Sequence, residues 1–340
     1  MSIRWPAEWE PHAATWIAWP HHEPDWPGKI AAIPWVYAEI VRVLAAYEPV
    51  EILCHDEATW ENAARALALH DVRENFRLHR VETDRVWTRD SGGSGVVTEE
   101  GVRWIRWRFN AWAKYDNYTR DERVGERIAE LSGIPSIEAQ RPDGAGRLVL
   151  EGGAIDTNGA GVMLTTEECL LSPIQERNPG LTRQGYEEAF ARYLGIERTI
   201  WLGRGCAGDD THGHVDDIAR FVSEDTVALA YEPNPADENH AASVENEERL
   251  LSAGINVVRL PFPRAVIMDG TRLPASYANF YIANGVVLVP TFNDPQDRHA
   301  LNIIASLFPE REVVGIHSVD LVWGLGTLHC LTQQQPAPPA

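Results

Sequence analysis

Apolar positions recur at helical spacing in four stretches of the chain. They begin near Thr119 (TRDERVGERIAELSG), Leu181 (LTRQGYEEAFARYLG), Ala236 (ADENHAASVENEERLLSAG) and Asp294 (DPQDRHALNIIASLF). Three of them end at a glycine, Gly133, Gly195 and Gly254, the residue that best closes a helix. Their starts lie 62, 55 and 58 positions apart. Two earlier helices are predicted around Lys29–Ala46 and Asp56–His70. Between the helices, alternating apolar runs flank turn residues. GAIDT and GVMLT flank Asn158–Gly159, IARFV and TVALAY flank Ser223–Asp225, and ANFYIA and VVLVP flank Asn284–Gly285. Asn-Gly between such runs predicts a hairpin. SGVV and VRWIRWRF form a similar pair around Gly101, and RTIWLG, INVVRLPF and REVVGIHSV each read as a strand after a helix.

The unit is thus hairpin, helix, strand, and about five such units fit into 340 residues. Repeats of this kind complete their core by packing against their neighbours. With so few units, closing them into a ring protects the sheet edges. The expected fold is a closed, pseudosymmetric five-bladed α/β propeller of ββαβ-type units. It occupies one domain over residues 1–334, with 335–340 a disordered Pro-rich tail.

Composition narrows the function classes. Hydrophobic residues make up 44% and charged residues 24%, which allows a sizeable core. The net charge of −20 argues against a nucleic-acid partner and suits a cationic ligand. No apolar run reaches the roughly 18 residues of a membrane span. Met1 to Pro11 lacks a signal-peptide pattern, so a cytoplasmic protein is expected. The four cysteines, Cys54, Cys169, Cys206 and Cys330, form no C-x-x-C pair, and no metal or cofactor is expected. Cys54 and Cys169 read as buried filler.

Chemistry-bearing residues gather in four segments: Asp84–Gly92, Leu150–Gly153, Gly208–Asp217 and Gly324–Cys330. Asp90, Glu151 and Asp216 each precede the first strand of a hairpin unit. In a ring of repeats, equivalent positions meet at one end. Converging carboxylates repel unless a cation lies between them. A guanidinium fits: it stays protonated, with a pKa of about 12.5 or higher, and its planar fork matches carboxylates. Its carbon is a poor electrophile, so attack needs a strong nucleophile such as a cysteine thiolate. Cys330, in a glycine-containing loop beside His329, is the candidate.

Together the segments resemble the agmatine deiminase family, also called the Porphyromonas-type peptidylarginine deiminase family, within the guanidine-modifying superfamily of the pentein fold. The likeness runs from Trp5-Pro6-Ala7-Glu8-Trp9 to Cys330-Leu331-Thr332-Gln333-Gln334 and rests on the ordered set W-x-R-D, E-G-G, G-H-V-D and H-C-x-T-Q-Q. The resemblance implies a metal-free hydrolase of linear amidines that converts agmatine to N-carbamoylputrescine and ammonia. It implies Cys330 as nucleophile, His214 as acid and base oriented by Glu151, and Asp90 and Asp216 as the guanidinium clamp. Trp87 is a candidate substrate wall and Asp210 a candidate for a distal amine. The expected partner is a small cationic guanidine, and a homodimer stays open. Arg85 stands where many members carry an acidic residue, Gly93 replaces a common proline, and Trp19–Trp26 lacks the usual basic residues and asparagine. These departures keep peptidyl-arginine or another alkylguanidine as alternative substrates. A second reading takes His212, His214 and Asp216 as an H-x-H-x-D metal set of a metallohydrolase.

Overall fold

The computed structural model describes residues 3–339. It is an α/β chain with five sheets of three or four strands and one two-stranded ribbon. Three sheets repeat one plan. A short strand pairs antiparallel with a central strand, and a helix then carries the chain to a third, parallel strand. The instances are Asp156–Thr157, Val162–Thr166 and Arg198–Leu202; Ala219–Phe221, Thr226–Tyr231 and Asn256–Pro261; and Tyr281–Ala283, Val286–Thr291 and Glu312–His317. Their connecting helices are Arg183–Leu194, Asn239–Ser252 and Gln296–Leu307. Parallel neighbours need such a crossover, which explains why strand and helix periodicities alternate in the sequence.

The sheet Ser94–Thr98, Gly101–Arg106 and Ser136–Glu138 follows the same plan and gains an edge strand, Ile3–Arg4, from the start of the described chain. The remaining sheet joins the two ends. His12–Ala18 runs parallel to Val50–Cys54, which runs parallel to Phe76–Arg80. The antiparallel strand on its other side is Gln333–Pro336. This corrects the predicted tail boundary, because Gln335 and Pro336 pair with Ala14 and His12. Proline is tolerated there because the strand is an edge with a bulge.

The helices lie where the apolar spacing put them, with shorter bounds. Ile33–Leu44 and Glu57–Leu69 fill the two early positions, and Val124–Ser132 the third. Local chemistry sets their ends. Asp56 and Thr182 accept hydrogen bonds from the Thr59 and Gly185 amides, and Gly133 and Gly195 close helices at φ of 68° and 69°. The buried apolar residues form four clusters between sheets and helices rather than one central core. Among the described residues, no helix is long and apolar enough to cross a membrane.

Candidate active site

Every sheet sends one chemical residue ahead of its leading antiparallel strand. Asp90 lies in the short helix Thr88–Ser91, before Ser94–Thr98. Glu151 precedes the turn Gly152–Ala154, and Asp216 lies in the turn Val215–Asp217. Asn279 precedes Tyr281–Ala283, and Cys330 precedes Gln333–Pro336. All five are buried.

Asp90 and Asp216 meet His214 around Gly153. A Cβ placed on this glycine would stand 2.5 Å from His214 Nδ1, 2.9 Å from Asp90 Oδ1 and 3.1 Å from Asp216 Oδ2. Only a residue without a side chain lets the three groups converge. The Gly153 amide donates to Asp90 Oδ1 at 3.0 Å, and Trp112 Nε1 donates to Asp90 Oδ2 at 2.9 Å. His214 lies between carboxylates, with Nδ1 3.8 Å from Asp90 and Nε2 3.6 Å from Glu151. Both separations exceed hydrogen-bond length. Both ring nitrogens of His214 and Oδ1 of Asp216 are buried without a hydrogen-bond partner. Buried polar atoms left unpaired are costly, so three in one spot mark a place for a ligand.

The second layer was not foreseen from sequence. Arg177 is fully buried and pairs with Glu151 at 3.1 Å. His329 bridges Asp216 at 2.6 Å and Glu8 at 2.8 Å, and Glu8 in turn faces Arg220 at 2.8 Å and Arg89 at 3.2 Å. Asn279 Nδ2 donates to Cys330 Sγ at 3.1 Å, while Asp216 Oδ2 stands 3.8 Å from the same sulfur. For Asn279, a clue did exist in its position before the leading strand of a hairpin unit. Arg177 and Glu8 gave none, since their partners are distant in sequence.

Titration follows from this packing. Burial lifts the Asp90 carboxyl to about 6, with His214 opposing and Asp216 and Glu151 adding to the rise. Burial pulls His214 down, but Asp90, Cys169 and Glu151 outweigh it and hold the ring well above the ordinary histidine range. Burial also opposes ionisation of Glu151 and Asp216. Arg177 and His214 outweigh it for Glu151, and His329 for Asp216, so both stay below the usual range. Burial drives the Cys330 thiol well above its ordinary value, and Asp216, Asp217 and Asp90 drive it further.

Asp90 and Cys330 form part of the wall of a cavity of about 340 Å³. Trp87 also lines it, packed at a tilt against Trp26 with ring centres 5.8 Å apart, as do Trp112 and Tyr115. Asp210 reaches the same wall, but its carboxylate is taken by Lys114 and by the Tyr115 hydroxyl, the latter at 2.7 Å. The metal set expected from H-x-H-x-D is not brought together. His212 sits at a φ of 65° and its Nε2 bonds Ser172 Oγ at 3.1 Å. Among the described residues, potential ligand atoms do approach one another in Glu151–Cys169–His214 and in Asp216–Asp217–Cys330, and His212 belongs to neither.

Known proteins share this arrangement of chain. Agmatine deiminase from Pseudomonas syringae pv. tomato is 35% identical over 365 aligned positions, covering 98% of this chain and 95% of that one. The solved agmatine deiminase of Enterococcus faecalis superposes with a TM-score of 0.90 at 30% identity, covering 98% of this chain and 96% of that chain. A C. jejuni agmatine deiminase solved with substrate bound gives 0.88 at 27% identity, again over 98% and 96%. The model of the Porphyromonas-type peptidyl-arginine deiminase family matches residues 4–336. That span includes Asp90, Glu151, Asp216, Asn279 and Cys330, and the chain belongs to this family.

Proposed function

We propose that this protein is an agmatine deiminase, hydrolysing the guanidinium of agmatine to N-carbamoylputrescine and ammonia. The observation that carries this reading is the set of unpaired buried atoms on His214 and Asp216 beside Asp90 and Cys330. A planar cation supplies the donor that Asp216 Oδ1 lacks. It offers N–H donors to the carboxylates and places a carbon beside sulfur. The relatives named above support agmatine as the guanidine.

Before substrate binds, the thiol is neutral, because burial and then three carboxylates oppose its ionisation. An arriving guanidinium offsets that field, so the substrate itself favours the thiolate, and the thiol proton leaves to solvent. Asp90 and Asp216 hold the guanidinium edge-on. The Cys330 sulfur anion attacks the central carbon and forms a C–S bond. His214, protonated in its acidic surroundings, gives its proton to one nitrogen, and the C–N bond breaks to release ammonia. Neutral His214 then takes a proton from water, whose oxygen attacks the S-alkylthiouronium carbon. Collapse of that adduct breaks the C–S bond and returns the thiolate, and loss of the hydroxyl proton to solvent leaves the ureido product. One histidine used in both directions contributes about 10²–10⁴-fold. Glu151 orients His214, Trp87 forms a wall, and Asp210 belongs to the outer rim.

In this reading the five sheets are blades of one closed ring, formed by a single domain whose ends meet where Gln333–Pro336 pairs with His12–Ala18. The test is Cys330→Ala. Ammonia release from agmatine should vanish while the fold, read by circular dichroism, persists. Wild-type turnover by that variant would refute the scheme.

A further inference from the structure

Resting on the reading above, we infer that Asp25, not Asp210, receives the far-end ammonium of the substrate, and that Arg85 is the resident cation the substrate competes with there. Both carboxylates line the cavity that holds Cys330 and Asp90. They differ in spare acceptor capacity. Asp210 is spent, since one oxygen takes the Lys114 ammonium and the other the Tyr115 hydroxyl. Asp25 has one oxygen, Oδ1, 3.0 Å from His22 Nδ1. Its other oxygen, Oδ2, is buried with no partner. Aspartate's terminal torsion is broad, so a modest rotation turns the free oxygen toward the cavity. An unpaired carboxylate oxygen is costly to keep, and an ammonium with three donors meets that need.

Arg85 sets how strongly the tail is held. Its Nε stands 3.4 Å from Asp25 Oδ1, in ion-pair range. Its Nη1 is tied to the Asn117 carbonyl at 3.0 Å. Its guanidinium covers the Tyr115 ring at 4.4 Å, a face that would otherwise suit the ammonium. A positive tail must therefore share Asp25 with a fixed positive neighbour. The substrate class follows: a guanidine with a short alkyl chain ending in a cation, bound less tightly than an unopposed carboxylate would bind it.

The probe is agmatine against n-butylguanidine, which has the same chain and lacks the ammonium. The readout is the ratio of their kcat/KM values within each variant, which cancels any general loss of folded enzyme. Asp25→Asn should lower the agmatine preference by at least about tenfold, the worth of one hydrogen bond to a charged group. The change should fall on the KM for agmatine. Arg85→Gln should raise the preference. Asp210→Asn should shift it by less than Asp25→Asn does. Equal losses on both substrates in Asp25→Asn would overturn the assignment, as would a larger shift in Asp210→Asn. If the wild-type enzyme turns over neither guanidine, the deiminase reading itself fails, which is a separate result.

Discussion

Gly153→Ala isolates how tightly the reactive groups must meet. The added methyl would lie 2.5 Å from His214 Nδ1, where an ordinary contact begins near 3.4 Å, so the ring must retreat by about 0.9 Å. Asp90 Oδ1, at 2.9 Å, must move as well. Neither has easy room. Asp90 is pinned by the Gly153 amide itself and by Trp112, and the His214 side chain is almost fully buried. Gly153 is not among the glycines with positive φ, so alanine strains no backbone angle there. The perturbation is therefore a wedge among reacting groups. A misplacement of about 1 Å costs on the order of 10²-fold in rate, or about 2.7 kcal/mol of barrier. Overpacking a buried site costs roughly 1–3 kcal/mol of stability. The assay pairs steady-state ammonia release from agmatine with thermal melting. A folded variant whose kcat stays within about threefold of wild type would show that His214 and Asp90 need not hold these positions.

Two further predictions concern charge. Asp90 must be ionised to clamp a cation, so kcat/KM should decline tenfold per pH unit below about 6, the value to which burial raises it. The sign for stability is opposite. The folded protein keeps this proton up to about 6 where the unfolded chain sheds it near 3.8, so Asp90 costs stability as pH rises through that window. A flat kcat/KM profile between pH 5 and 7 would exclude Asp90 from the clamp. Arg177→Met should leave the fully buried Glu151 with only His214, 3.6 Å away, as a neighbouring cation. The expected loss is about 3–5 kcal/mol by urea denaturation, and a loss below about 1 kcal/mol would mean that His214 alone suffices as its counter-ion.

How much of this could be read from the sequence depends on the range of each interaction. Helix Arg183–Leu194 was legible because its signals are local: an apolar stripe, the Thr182 cap and Gly195. The hairpins were legible for the same reason. Gln333–Pro336 was not, since three glutamines before a proline carry no strand signal. Its pairing partner, His12–Ala18, lies at the other end of the chain. Asp210 was legible as a candidate, but its occupation was not, because Lys114 lies 96 residues away. Arg177 reads locally as one polar residue in a loop, and only folding sets it against Glu151.

Asn279 is the instructive case, because the repeat itself predicts the slot it fills. Asp90, Glu151, Asp216, Asn279 and Cys330 stand two to five residues ahead of the leading strands of their sheets, which begin at Ser94, Asp156, Ala219, Tyr281 and Gln333. Three slots hold carboxylates and one holds the nucleophile. A carboxylate in the remaining slot would sit at hydrogen-bond distance from sulfur, where Asn279 Nδ2 now donates at 3.1 Å. Asp216, Asp217 and Asp90 already push the thiol up. Another negative charge at closer range would push it further, against the effect of the bound guanidinium. An amide of nearly the same shape turns that repulsion into a donated N–H that favours the anion. Electrostatics therefore favours an amide in the slot nearest the sulfur over the acids of the other three.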